Sequence, residues 1–343
     1  MKRAEETIIE YYNHYDEESR LFRDYLHQIE YRTTMYYFDK LLPPNSKIFD
    51  GCAGTGNYAF ALAGKGHAVF ASDIVPHNVD MMRKKQEGSE QLQEISIGDI
   101  CNVEQYENNF FDVVLCMGAF YHLDEAGRHK ALKECLRILK KGGILAISYI
   151  NLMAAIYLQL DPGLKNMEQI LNCYHARSFG DAFTYMSPKE IESMAQDYGL
   201  EVLCHLTSDG NAYMHGSDFN RASEDDFNRF MELHLHSCED KFLLGSGLHG
   251  LIFLRKNRQE EQGGDLLANL EQLHTTELGA GRIKKNLSLD MEDKEDIVSW
   301  CRDKIKSPDA LISRSGKNWY VVIDGCIITI NAYSYTIITA HHA

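Results

Sequence analysis

The chain has 343 residues, of which 44% are hydrophobic and 25% charged, and its formal net charge at pH 7 is −15. These fractions are typical of globular proteins, and no apolar run approaches the roughly 20 residues that cross a bilayer. The acidic excess disfavours non-specific binding to nucleic acid or to an anionic membrane, because like charges raise the energy of approach. We therefore expect a globular protein with neither partner.

The N-terminus and the cysteines favour a cytoplasmic protein without a metal. The first 20 residues, MKRAEETIIEYYNHYDEESR, lack the apolar core of a secretion signal. The nine cysteines are scattered singly, without CxxC pairs or a disulfide framework. His234, His236, Cys238 and His249 do not have the spacing of a zinc site. We expect reduced cysteines and a cytoplasmic location.

A polar stretch divides the chain. Residues 257–264, NRQEEQGG, have no apolar periodicity and end in two glycines, which predicts a linker. The first domain then covers residues 1–256 and the second residues 265–343, and two domains agree with the length. Most of the acidic excess falls in the first domain.

Short apolar or β-branched runs along the first domain predict strands. They lie at residues 47–50, 68–72, 94–97, 111–117 and 143–150, with two later runs at 200–206 and 249–256. The segments between the first five have helical spacing, as at 78–86 and 127–141. Strands that alternate with helices predict an α/β fold, in which a mostly parallel sheet is covered by helices on both faces.

The stretch FDGCAGTGNYAF, residues 49–60, joins the first strand to a helix through a turn of small residues. Ligands bind beyond the carboxyl ends of parallel strands, and glycines such as Gly54 and Gly56 let the backbone approach a ligand closely. Asp73 ends the second strand about 20 positions later, where a carboxylate can accept hydrogen bonds from ribose hydroxyls. The pattern predicts a nucleotide or nucleoside site.

The turn differs from the dinucleotide fingerprint GxGxxG, because Ala59 stands three residues after Gly56. It also begins with Asp50, which would repel a pyrophosphate at the helix N-terminus but suits a ligand that carries an ammonium group. Asp99, after the third strand, is placed to meet an adenine amino group or, alternatively, to cap the following turn. These features favour S-adenosylmethionine over a dinucleotide.

As a series, these motifs resemble those of the Rossmann-like, class I S-adenosylmethionine-dependent methyltransferases, over roughly residues 10–256. The series comprises the turn at 50–56, Asp73, Gly98-Asp99, the fourth strand at 112–116 and the LKKGG run at 139–143. Cys52 departs from the family pattern, in which a glycine is usual at that position. The resemblance implies a seven-stranded Rossmann-like sheet with S-adenosylmethionine as the cofactor.

The resemblance also implies which residues bind the cofactor. They are Asp50, Gly51, Cys52, Ala53, Gly54, Thr55, Gly56, Asp73, Ile74, Asp99, Ile100, Met117 and Gly118. By the same resemblance, the helical segment 1–45 acts as a lid over the cofactor, with Tyr15 and Arg32 as contacts. Purely structural roles are the alternatives: the tyrosines of this segment can form a helix core, and Ile74 and Ile100 can be ordinary core residues.

Methyl transfer from a sulfonium needs chiefly positioning, and it needs a general base only if the acceptor atom is protonated. Tyr121 and His122 follow the fourth strand, at the sheet edge where the acceptor would meet the methyl group, so they are the catalytic candidates, with His122 as base. A histidine held by backbone hydrogen bonds is the alternative. We expect an O or N atom of a small molecule as acceptor, with a protein acceptor as the second choice and an NAD-dependent oxidoreductase as the rival function.

The second domain begins with two amphipathic segments and ends in alternating apolar runs, joined at Asp324-Gly325 by a strong hairpin signal. This pattern predicts a small α+β domain with a meander of three or more strands. The segments LHTTELG, GKNWYV and INAYSYTIITAH resemble a small bacterial family of unknown function. The resemblance implies no activity.

Two functions are open for this second domain. A basic surface with a histidine that moves a proton would make it a toxin-like ribonuclease. A solvated surface would make it an interaction module, with the first domain as a cofactor-binding sensor. The residues that would form this surface are His274, Arg282, Lys284, Lys285, Lys317, Thr339 and His341.

Overall fold

The computed structural model describes residues 4–88, 91–180, 182–257, 266–291 and 293–342. These residues form two compact units, one drawn from 1–191 and 202–255 and the other from 192–201 and 256–343. The predicted linker at 257–264 lies outside the described residues except for Asn257.

The first unit is built on a seven-stranded sheet. Its strands are β1 (Lys47–Asp50), β2 (Ala68–Asp73), β3 (Glu94–Ile97), β4 (Phe111–Cys116), β5 (Leu139–Ile150), β6 (Glu201–Thr207) and β7 (His249–Arg255). Their order across the sheet is β3-β2-β1-β4-β5-β7-β6. The pairs among β1 to β5 are parallel, and β7 runs antiparallel to β5. The predicted Rossmann-like, mostly parallel fold is confirmed.

Nine α-helices and a 3-10 helix accompany this sheet in the described residues up to Arg255. They are α1 (Ala4–Tyr12), α2 (Tyr25–Leu41), α3 (Asn57–Gly64), α4 (Pro76–Gln86), α5 (Glu125–Ile138), α6 (Leu152–Leu158), α7 (Met167–Ala176), α8 (Pro188–Asp197), the 3-10 helix Ala212–Arg221 and α9 (Glu224–Ser237). Side chains fix the starts of α2 and α5, where Asp24 and Asp124 accept hydrogen bonds from the backbone N–H groups of His27 and Gly127.

The helix predicted at 127–141 ends earlier, at Ile138, and β5 begins at Leu139. Leu139 pairs with Phe111 of β4, and the Lys140 ammonium lies 2.7 Å from the Asp112 carboxylate. Pairing with the neighbouring strand therefore overrides the helical propensity of the LKK sequence.

The strand order reverses between β1 and β4, which both lie at the centre of the sheet. Ile48, Phe49, Val113 and Leu115 of these two strands are fully buried, as expected for a sheet covered on both faces. The carboxyl ends of β1, β2 and β4 meet beside this reversal, where ligands bind in open α/β sheets. The fold thus brings the predicted motif residues to one edge.

The second unit has its own core. Two helices, Glu277–Leu287 and Lys294–Ile305, follow a 3-10 turn at Leu270–Gln272 and precede the antiparallel strands β8 (Leu311–Ser315), β9 (Asn318–Ile323), β10 (Cys326–Asn331) and β11 (Ile337–His342). Asp324 and Gly325 join β9 to β10 with φ values of 48° and 70°, as a two-residue hairpin turn requires. The predicted α+β module and its hairpin are confirmed.

Across the described ranges, no helix is both long and apolar enough to cross a membrane.

Candidate functional site

The turn after β1 is held by backbone hydrogen bonds to both neighbouring strands. Gly51 N–H donates to the Leu115 carbonyl at 3.0 Å, and Ala53 N–H donates to the Ser72 carbonyl at 2.9 Å. Gly54 and Gly56 then adopt φ values of 54° and 86°, a region that disfavours residues with a Cβ. The turn therefore needs glycine at both positions and presents its backbone at the sheet edge.

Asp73, at the end of β2, fastens this turn. One carboxylate oxygen accepts from Gly54 N–H at 2.7 Å, and the other accepts from Val75 N–H at 2.9 Å and the Asn78 amide at 3.2 Å. Burial raises the pKa of Asp73, and these hydrogen bonds oppose that rise. The carboxylate is thus fixed in place beside the turn, although carboxylate oxygens can accept further hydrogen bonds.

Asp50, at the end of β1, is 2% exposed and lies behind the turn. Burial, together with the negative charge of Asp73, raises the pKa of Asp50 to about 7. A nearby positive charge would favour the ionised carboxylate. Asp99 accepts from Cys101 N–H at 2.8 Å, so it does cap the turn after β3 as the alternative interpretation proposed, and it faces the same space.

A cavity opens at this edge of the sheet, beyond the carboxyl ends of the strands, where small-molecule sites of α/β folds are found. Thirteen of the predicted site residues line it, namely Gly51, Cys52, Ala53, Gly54, Thr55, Asp73, Ile74, Asp99, Ile100, Met117, Gly118, Tyr121 and His122. Asp50, Gly56, Tyr15 and Arg32 are not among its lining residues. The sequence motifs, separated by up to 71 positions, thus converge on one space.

The N-terminal segment supplies lining residues that the sequence analysis missed, namely Ile8, Tyr12, Glu17, Arg20 and Leu21. A Cβ added at Gly54 would lie 3.3 Å from Glu17 Cγ, so this side chain sits directly on the glycine turn. Arg20 Nε donates to Glu17 at 3.0 Å. The spacing of Glu17 and Arg20 was the available signal, since residues three apart can pair.

The two lid contacts predicted by resemblance lie elsewhere. Arg32 is exposed on α2, where its guanidinium donates to the Asn228 amide oxygen at 3.0 Å and lies 5.2 Å from the Phe227 ring centroid. Tyr15 stacks on Tyr11 with ring centroids 5.5 Å apart. The structure therefore does not bring Arg32 or Tyr15 to the cavity, and Arg20 is the arginine that reaches it.

A chain of buried charges extends from Arg20 into the first unit. Arg20 Nη1 donates to Glu30 of α2 at 2.8 Å, and the Glu30 carboxylate lies 3.7 Å from His249 Nδ1, which is 2.7 Å from Asp209. Burial disfavours the charged form of Glu30, but the positive charges of Arg20 and His249 outweigh this effect and lower the pKa of Glu30 to about 2. Burial by itself lowers the pKa of His249, but the charge of Glu30 and the hydrogen bond and charge of Asp209 together outweigh it, so the pKa is raised.

Tyr121 and His122 lie in the loop between β4 and α5. His122 Nδ1 donates to the Ala182 carbonyl at 2.9 Å, and His122 Nε2 is 3.0 Å from the Tyr12 hydroxyl. Burial raises the pKa of Tyr121, so its hydroxyl keeps its proton at neutral pH. The histidine therefore has the backbone hydrogen bond of the alternative interpretation and also faces the cavity.

Two buried polar atoms of the lining test the fit of an S-adenosylmethionine molecule. Within the residues that the structure describes, Thr55 Oγ1 and Asn78 Oδ1 have no hydrogen-bond partner, although both side chains are 3% exposed. Buried polar atoms normally find partners, so these two are suited to a polar ligand in the cavity. Together with Asp73, Asp99 and the glycine turn, they suit a nucleoside that carries an amino acid part.

In the second unit, the two histidines of the ribonuclease hypothesis occupy different ends of β11. His274 bridges to Thr336, just before the strand, and His341 pairs with Ile327 near its other end. Five residues of extended strand correspond to about 16 Å. The described geometry does not bring these histidines together as a catalytic pair. Over the described ranges, no three His, Cys, Asp or Glu side chains are grouped to hold a metal ion.

Two family models match parts of the chain. Residues 49–147 match the family model described as "Methyltransferase domain", and residues 267–341 match "Protein of unknown function (DUF3781)". No curated protein matches the chain.

Several solved structures are similar to this chain. A SAM-dependent methyltransferase from Thermotoga maritima is 20% identical, with 73% of this chain and 99% of that chain covered and a TM-score of 0.48. A SAM-dependent methyltransferase from Methanosarcina mazei is 15% identical, with 65% and 98% covered and a TM-score of 0.45. A chain of the Haloferax volcanii complex of the Trm112 methyltransferase activator with a methyltransferase is 18% identical, with 73% and 97% covered and a TM-score of 0.48.

The family match spans the glycine turn, Asp73, Asp99 and β4, which are the elements that build the cavity. Residues 49–147 of the first unit therefore belong to a methyltransferase domain with S-adenosylmethionine as its cofactor, and residues 267–341 belong to a DUF3781 domain.

Proposed function

We propose that this methyltransferase transfers the methyl group to an O or N atom of a small molecule. The observation that supports this most is the composition of the cavity, which is lined on one side by the cofactor motifs and on the other by residues 8–21. Cofactor and acceptor have to share this one concave space. A concave site enclosed by two segments favours a small acceptor over a folded protein.

The roles of the residues follow from their positions. The turn at Gly54 and Gly56 brings backbone groups close to the bound cofactor, and Asp73 is positioned to accept from ribose hydroxyls. Asp99 and the buried Ile100 are suited to the adenine. When bound, S-adenosylmethionine supplies a methyl group that is already activated for transfer.

The protein contributes orientation and the exclusion of water. Ile8, Tyr12, Leu21 and Tyr121 cover the cavity with apolar and aromatic surface. Holding two reactants in line converts a bimolecular step into an effectively unimolecular one, which is the largest contribution open to this site. Excluding water from the cavity would also protect the activated methyl group.

Calorimetric titration with S-adenosylmethionine, S-adenosylhomocysteine and NAD tests the cofactor, with Asp73→Ala as the weakened variant. We expect binding of the two sulfur ligands, weaker in the variant, and no binding of NAD. Methyl-labelled S-adenosylmethionine is then incubated with cell extract that has been separated by dialysis into small molecules and macromolecules. Label in the small-molecule fraction supports the proposal, and label confined to protein or nucleic acid contradicts it.

A further inference from the structure

The hydrogen bond between Tyr12 and His122 has a defined direction. The Ala182 carbonyl can only accept, so His122 Nδ1 carries a proton. In the neutral ring, Nε2 is then the acceptor, and the Tyr12 hydroxyl 3.0 Å away donates to it. Burial, more than any other cause, raises the pKa of Tyr12, so the phenol keeps the proton that this hydrogen bond needs.

Packing fixes both rings in this arrangement. The His122 ring lies edge-on to Tyr12 at 5.5 Å between centroids, and its centroid is 4.8 Å from those of Tyr121 and Phe183. Tyr12 is the last residue of α1, and His122 follows β4, so the N-terminal segment and the sheet edge each contribute one member of the pair. The geometry is held from three sides.

The pair opens onto the same space as the cofactor motifs. Tyr12, Tyr121 and His122 line the cavity together with Gly118, and a Cβ added at Gly118 would lie 3.6 Å from the Tyr121 hydroxyl. The charged and titratable groups that face Tyr12 are Tyr121, Glu17, Arg20 and Tyr11. Glu17 is held in an ion pair with Arg20, which also pairs with Glu30.

We propose that Tyr12 and His122 form a proton relay for a small, planar acceptor with a phenolic O–H or a heteroaromatic N–H. This inference rests on the proposed function. The aromatic rings of the pair and of Tyr121, with Ile8, Leu21 and Leu123, give this end of the cavity an apolar lining that suits a planar molecule. Such acceptors must lose a proton on methylation, and the relay receives it.

The acceptor O–H or N–H donates to the Tyr12 oxygen. While the acceptor atom bonds to the methyl carbon, the carbon–sulfur bond breaks and sulfur keeps the electron pair. The acceptor proton passes to the Tyr12 oxygen, while the original hydroxyl proton of Tyr12 passes to His122 Nε2. The resulting imidazolium keeps its Nδ1–H on the Ala182 carbonyl, which stabilises the charge.

The first test determines which nitrogens of His122 carry a proton, and it needs no methyl transfer. Full-length protein labelled with ¹⁵N-histidine is saturated with S-adenosylhomocysteine, and the His122 nitrogens are observed by NMR at pH 7. We expect the neutral Nδ1–H tautomer, with an Nε2 resonance that shifts in Tyr12→Phe and stays unchanged in Tyr11→Phe. An Nε2–H tautomer, or a ring that carries both protons at this pH, would overturn the relay.

The second test separates catalysis from a purely structural contact. Labelled methyl transfer is measured with phenol, catechol, imidazole and pyrazole as probes. In Tyr12→Phe and His122→Gln we expect kcat to fall about 100-fold, with little change in the KM for S-adenosylmethionine. Tyr11→Phe, one residue away and outside the cavity lining, serves as the matched control and should keep its kcat. If His122→Gln does not fold, Tyr12→Phe decides.

The remaining outcomes separate this inference from the proposed function. Weaker S-adenosylhomocysteine binding in Tyr12→Phe with unchanged kcat would show that the pair only holds α1 in place, and would overturn the relay. Binding of S-adenosylhomocysteine without transfer to any of the four probes would also overturn it. A wild-type protein that binds neither sulfur ligand would instead contradict the proposed function itself.

Discussion

The two units of this chain bury different kinds of side chain. The first encloses charged groups, among them Glu30, Asp50, Asp73 and Asp209. In the described part of the second, Trp319, Ile328 and many other apolar residues are buried, and the only buried polar residues besides cysteine are Thr275 and Thr329. Burying a charge costs free energy unless it is paired, so a fold does not retain such groups for packing alone. The contrast identifies the first unit as the place of chemistry.

The largest expected effect comes from removing the cation of the buried charge chain. Arg20→Leu leaves Glu17 and Glu30 without their shared partner, and we expect a loss of about 3–5 kcal/mol in the free energy of unfolding. Urea denaturation of the full chain measures it. Arg221→Leu removes an exposed ion pair with Asp218 and should change stability by less than about 1 kcal/mol. Equal losses of stability in the two variants would mean that the buried ion pairs of Arg20 stabilise the fold no more than an exposed pair does.

A pH series tests the buried carboxyl of Asp50. Its pKa is raised to about 7, so the folded state holds this proton more tightly than the unfolded chain does. Its contribution to stability is present at low pH and is lost as the pH rises from about 4 to 7. At about 1.36 kcal/mol per pH unit, the loss over this window is roughly 4 kcal/mol. Asp50→Asn should lack this slope, and parallel stability curves for the two proteins would contradict the prediction.

A smaller effect should follow from removing the unpartnered amide oxygen of the cavity. Asn78→Ala deletes this oxygen and the donor to Asp73, and we expect S-adenosylhomocysteine to bind about tenfold more weakly, the equivalent of one ordinary hydrogen bond. Calorimetry measures the affinity. Asn172→Ala, exposed on α7, is the control and should bind as the wild type does. Unchanged affinity in Asn78→Ala would remove this residue from the site.

The smallest effect concerns the second unit. Ile328→Val removes one methyl group from its core, and we expect a loss of about 1 kcal/mol in stability. Because this core is apolar, the substitution should leave the affinity for S-adenosylhomocysteine unchanged. Denaturation and calorimetry on the same preparation check both statements. A change in cofactor affinity would show that the core of the second unit contributes to cofactor binding, against the division of roles between the two units.

The sequence alone predicted the fold of both units and most of the cofactor side of the cavity. Strand periodicity, the glycine turn and the acidic residues at Asp73 and Asp99 are local features, since each depends on a few consecutive residues and their backbone preferences. The same is true of the Asp324-Gly325 hairpin. For this reason the strands were predicted to within a few residues, except at the start of β5, where pairing with β4 decided the boundary.

Only the tertiary structure decided which residues of the N-terminal segment face the cavity. Arg20 and Arg32 are equally plausible in the sequence, and the choice between them depends on how the segment packs against Glu30 and the glycine turn. The contact between Tyr12 and His122 joins positions 110 residues apart, so no local pattern could reveal it. Motifs that follow from backbone geometry can be read along the chain, whereas partners in a buried polar network are fixed only when distant elements pack together.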